Sequence, residues 1–165
     1  MSRPRSVVNE ADLSWTEQDH GEAFAVRRKQ LGAAAGGSKL GCSLLEIPPG
    51  KKGWPLHYHL ANEEALYVLA GSGTLRLGHG EVRVGPGDYV ALPVGPDHAH
   101  QLINDGAETL RYLAFSTMIE PDVMGYPDSG KIGVLAGAAP GGPRERRTLA
   151  GYWRDERVDY WDGES

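Results

Sequence analysis

Between Lys39 and Phe115 the chain is cut into apolar runs of four to eight residues, rich in Val, Leu, Ile and Tyr and separated by Gly, Pro or Asp. No window in that stretch carries a 3.6-residue stripe of helical length, so the runs read as strands. They fall at 44–47, 56–59, 64–69, 74–77, 81–84, 89–92, 98–103 and 109–115, and 22–31 holds an earlier one around Ala23-Phe24-Ala25-Val26. Short strands at such spacing close into a sandwich or barrel rather than alternating with helices. Glycine (23) and proline (11) supply the turns. The fold class expected is all-β.

A chain of 165 residues holds one core. The texture divides it into an N-terminal arm with a first strand (1–38), a core barrel (39–118) and a C-terminal extension (119–165). In the arm, Leu13 and Trp15 are candidates to lie on the barrel. In the extension, 136–143 reads as an Ala/Gly/Pro linker and Arg144-Glu145-Arg146-Arg147 as solvated. Tyr152, Trp153, Tyr160 and Trp161 are costly to leave in water, so the tail is expected to dock on the barrel or a second subunit.

Net charge is −5 with no basic stripe, which argues against a nucleic-acid partner. The longest apolar run, 65–70, is far too short to span a membrane, and no apolar leader follows the first residues. A cytoplasmic location is the expectation. Cys42 is the single cysteine, which excludes an internal disulfide and reads as a buried, inert thiol.

Four of the six histidines, His57, His59, His98 and His100, fall within 44 residues as two His-X-His pairs. On a strand, residues two apart share a face. Glu64 opens the next run. Imidazoles and a carboxylate form a donor set suited to Fe, Mn, Ni, Zn or Cu, and a closed sheet can bring distant strands to one point.

The spacing carries a resemblance. Gly50, His57, His59, Glu64 and Gly71 resemble the first cupin motif, with Gly50 one position further from His57 than the family has it. Gly87, Pro93, Gly95, His100 and Asn104 resemble the second, with a gap of four residues after Gly95 where the family has two. The segments 126–131 and 159–164 look like a bacterial branch of single-domain cupins with no agreed reaction. The resemblance implies a double-stranded β-helix, or jelly-roll barrel, binding one divalent metal ion (Fe, Mn, Ni or Zn) through His57, His59, Glu64 and His100. Glu63 also fits the looser spacing from His59, but only Glu64 stands the right distance before Gly71. His98 shares a strand face with His100, as a neighbour of the site or its replacement.

Such a set leaves coordination positions open, as in metal sites that do chemistry. Leu66, Val68, Leu75, Leu77 and Leu102 are the expected walls. Tyr67, Tyr89, Arg76, Arg111 and His98 are candidate acid–base or anion-binding groups. The resemblance implies a metal-dependent dioxygenase or isomerase/epimerase acting on a small oxygenated organic molecule. A non-catalytic sugar- or acid-binding module and a purely structural barrel are the alternatives. Exposed sheet edges make a homodimer the expected assembly.

Overall fold

The computed structural model describes residues 3–154 and 156–164. Met1, Ser2, Asp155 and Ser165, which the sequence reading assigns to arm and tail, lie outside them. In chain order the strands are β1 (Thr16–His20), β2 (Phe24–Gln30), β3 (Gly41–Ile47), β4 (Lys51–Lys52), β5 (Tyr58–His59), β6 (Glu64–Ala70) and β7 (Gly73–Leu77). There follow β8 (Gly80–Val84), β9 (Tyr89–Leu92), β10 (His100–Asn104), β11 (Leu110–Ser116), β12 (Asp122–Tyr126), β13 (Lys131–Ala136) and β14 (Leu149–Arg154). One helical turn, α1 (Leu31–Ala34), and three 3₁₀ turns complete the described residues. The all-β expectation is met.

Two sheets form. The larger is ordered β8-β7-β10-β4-β2-β3-β11-β6-β9, with β1 pairing on β2, and the smaller is β14-β13-β12-β5. Alternation sends Val26, Leu45, Ile47, Leu66, Val68, Leu75, Leu102, Leu110 and Tyr112 to one shared core. A backbone bridge between His57 and His100 joins the segment leading into β5 to β10, and so ties the two sheets together.

The outer face of the larger sheet is covered from the N-terminus. Lys29 and Arg111 hold Glu10, and the Trp15 ring lies 4.5 Å from both the Arg27 guanidinium and the Lys29 ammonium. The segment 137–147 differs from its reading as a free linker. Ala138 and Ala139 are buried, and Gly141 accepts a hydrogen bond from Gln30 Nε2 at 2.5 Å. The tail docks only in part: Leu149–Arg154 pairs with β13, whereas Tyr160 is 83% exposed. Cys42 is half-buried, and burial raises its thiol pKa.

Candidate functional site

The four residues singled out by the two motifs meet at the junction of the sheets. His57 and His100 exchange backbone hydrogen bonds (His57 N–H to His100 O, 3.2 Å; His100 N–H to His57 O, 2.8 Å). Their rings therefore stand side by side, with centroids 4.6 Å apart. His59, two residues on, comes from β5 in the smaller sheet, its ring 5.0 Å from that of His57. Glu64 opens β6 opposite Ser116 and shares the inner face with Leu66 and Val68. Its Oε2 lies 3.5 Å from His59 Nε2 and 3.3 Å from His100 Nε2. Donor atoms of His57, His59 and Glu64 all fall within 4.8 Å of one another. His100 adds its nitrogen beside the same carboxylate.

What each ring does with its other nitrogen fixes its chemistry. His57 Nδ1 lies 2.8 Å from the Pro55 carbonyl, His100 Nδ1 lies 3.0 Å from the His98 carbonyl, and His59 Nδ1 lies 2.5 Å from Asp122 Oδ2. Carbonyls and ionised carboxylates only accept, so each Nδ1 carries the proton and donates outward. Three Nε2 lone pairs and a carboxylate oxygen are left facing one another. One shared proton satisfies a single pair among these four acceptors. A metal cation satisfies them all, and the outward Nδ1–H bonds are the usual means of orienting imidazole ligands.

With no cation present, the four groups act on one another's protons. Burial, then repulsion from His100, push the His57 pKa down to about 3, so that its ring stays neutral. Burial opposes ionisation of Glu64, but the His100 hydrogen bond and the neighbouring His59 hold its pKa at about 2. In His59, burial favours the neutral ring, yet the Asp122 hydrogen bond and the Glu64 charge together raise its pKa. Asp122, fully buried, is likewise kept ionised against burial by its bond to His59.

Several expectations are corrected here. His98 does not share a face with His100. Pro96–His98 is a 3₁₀ turn, β10 begins only at His100, and the His98 side chain is exposed while its carbonyl serves His100. Glu63, on the opposite face from Glu64, is exposed. Tyr67 and Tyr89 point outward, Arg76 is held by both oxygens of Asp128, and Arg111 lies on the outer face with Glu10. The expected apolar residues do lie inside, Leu66, Val68, Leu75 and Leu102 in the core and Leu77 packed against it.

Two neighbours of the site escaped the sequence reading. Asp122 lies in the weakly patterned stretch after Ser116. Tyr126 stacks on His57 (centroids 6.0 Å, planes 19° apart), and its phenol is kept protonated by burial and by Tyr152. The only signal for either was the turn at Tyr126-Pro127-Asp128. Two hollows of the described surface lie elsewhere, both lined by β1 residues such as Gln18 and Asp19. They contain none of these groups.

Residues 43–116 match the family model of the cupin domain. No curated protein matches the sequence. Among solved structures, a candidate sugar phosphate isomerase of Acidithiobacillus ferrooxidans is similar at 29% identity and TM-score 0.77, over 93% of this chain and 96% of that one. A cupin-superfamily sugar phosphate isomerase of Silicibacter pomeroyi is similar at 22% identity and TM-score 0.75, over 90% and 92%. A polyketide cyclase of Streptomyces resistomycificus is similar at 24% identity and TM-score 0.57, over 70% and 78%. The latter two likenesses are of fold, the double-stranded β-helix.

Proposed function

Because this chain belongs to the cupin superfamily, we propose that it is a metal-dependent isomerase of a small oxygenated substrate, with His57, His59, Glu64 and His100 holding one divalent ion. The observation that carries the reading is the convergence of three imidazole Nε2 atoms on one carboxylate, each ring turned so that its Nδ1 meets an acceptor outside the cluster. The donor set suits Fe, Mn, Ni or Zn. A bound ion supplies Lewis-acid polarisation of carbonyl or hydroxyl oxygens. The protein's own groups do the rest. Asp122 and the two backbone carbonyls hold the imidazoles in one tautomer. Tyr126 offers a neutral hydroxyl beside His57, and Leu66 and Val68 keep water from the inner wall.

Isomerisation is preferred to oxidation on the name of the Acidithiobacillus ferrooxidans protein, which is similar along nearly its whole length. Phosphorylated sugars are accordingly the first substrates to try. A second reading, binding without turnover, is favoured by one observation: the acids and bases at the site are already engaged, in holding one another or, for the Tyr126 hydroxyl, with Met124 Sδ.

Metal analysis of untagged protein, purified without chelator, tests the ligand set. The protein is expected to carry about one ion per chain, His59→Ala to lose most of it, and His98→Ala to keep it. The reverse pattern would overturn the assignment. Anaerobic conversion of aldose phosphates supports the isomerase. Oxygen consumption with catechols or 1,3-diketones replaces it with a dioxygenase, and binding without conversion with the module.

A further inference from the structure

β2 carries three consecutive cations, and two of them are accounted for. Arg27 pairs with Glu46 at 2.5 Å and Lys29 with Glu10 at 3.1 Å, both on the outer face. Arg28 alternates inward with Val26 and stands half-buried, in register with Leu45 and, through it, with Tyr112. Among the described residues no carboxylate pairs with it. What reaches it is more positive charge. Gly141 crosses the tips of Arg28 and Gln30, so that a Cβ there would lie 3.8 Å from Arg28 Nη1. Arg144 and Arg147 follow in the same segment. Burial, then these two charges, depress the Arg28 pKa, and Arg147 Nε is buried with no acceptor.

Arg28 and Arg147 are partly buried and Arg144 stands exposed beside them, and partly buried cations without a counter-charge are expensive to fold. Such a cost is commonly found where a ligand supplies the missing charge. The location says which ligand. One inner row beyond Arg28 runs Gln30, Ser43, Ala114 and Leu66, and Ser43 and Ala114 are small and half-buried. The next inner position on β6 is Glu64. Tyr112 lies buried on the inner face, in register between Leu45 and Val68.

We infer that Arg28, Arg144 and Arg147 form an anion clamp for the phosphate of a substrate whose oxygenated end meets the histidine–glutamate cluster. Only the far end of that substrate rests on the function proposed above. The clamp itself stands on the arginines. A guanidinium offers two parallel N–H donors to two phosphate oxygens, which makes arginine the residue suited to a planar, bidentate grip.

Calorimetric titration with inorganic phosphate at low ionic strength tests it. The protein is expected to bind one phosphate per chain. Arg28→Met should weaken binding at least tenfold, and Arg28→Lys should restore part of it. Phosphate binding that is equal in Arg28→Met, or absent from the folded wild type, overturns the clamp. Should Arg28→Met fail to fold, Arg147→Met serves in its place, with the same tenfold loss expected and equal binding again fatal. Retained phosphate binding with no conversion of sugar phosphates removes the isomerase and leaves the clamp standing.

Discussion

At the scale of single residues, Asp122 decides which nitrogen of His59 is free. Its Oδ2 accepts from His59 Nδ1 and its Oδ1 from the Ala61 amide at 3.0 Å. Asparagine has one acceptor for these two donors. Keeping the Ala61 bond turns its amide NH₂ toward His59 and forces the proton onto Nε2, where the lone pair is needed. Asp122→Asn is therefore expected to weaken metal binding by about 10–100-fold, as measured by competition with a chromophoric chelator. Unchanged affinity would mean that the tautomer is held by something else. The four convergent side chains were legible because motif spacing names them one by one. Asp122 was not, since it is paired across 63 positions and nothing local marks a carboxylate as buried. Nor was Arg28, which sits in a run of charges that looks solvated until alternation sends every second one inward.

At the scale of elements, glycines with the same backbone angle have different duties. Gly50 and Gly71 both have φ of 73°, but a Cβ on Gly50 would meet open space, while one on Gly71 would stand 2.4 Å from the Thr109 carbonyl oxygen. The left-handed angle alone costs a side chain about 1–2 kcal/mol, and overpacking adds about 1–3 kcal/mol. Gly71→Ala is thus expected to lose about 2–5 kcal/mol in urea unfolding and Gly50→Ala about 1–2 kcal/mol. Equal losses would show that the close approach of β6 to the turn before β11 is soft. Most strands were legible from their apolar runs, 89–92 to the residue. β1 was not, because all five of its residues are exposed and no alternation exists to read. β10 starts two residues later than its histidine pair suggests, because Pro96 initiates a 3₁₀ turn. In β12 the pattern is broken by Gly125, whose missing side chain admits the Tyr58 ring, since a Cβ would fall 2.1 Å from it.

At the scale of the whole molecule, the proposed ligands are divided between the two sheets. Glu64 and His100 belong to the ten-stranded sheet and His59 to the four-stranded one, while His57 bridges to His100 just before the chain enters β5. Besides that bridge, the Gly95 N–H to His59 carbonyl bond and the Arg76–Asp128 ion pair, an ion held at this point would be a further tie between the layers. An unfolded chain offers no such arrangement, so binding free energy becomes folding free energy. At free metal a hundredfold above its dissociation constant the gain is about 2.7 kcal/mol. For a chain of this size each kcal/mol moves the midpoint by about 2–4 °C. Removal of metal by EDTA and dialysis is therefore expected to lower Tm by roughly 5–10 °C, and added Mn²⁺ or Zn²⁺ to restore it. His59→Ala should show the lower Tm with or without metal. A wild-type Tm indifferent to both chelator and added ion would leave the four side chains as a polar junction between sheets, with no cation to join them.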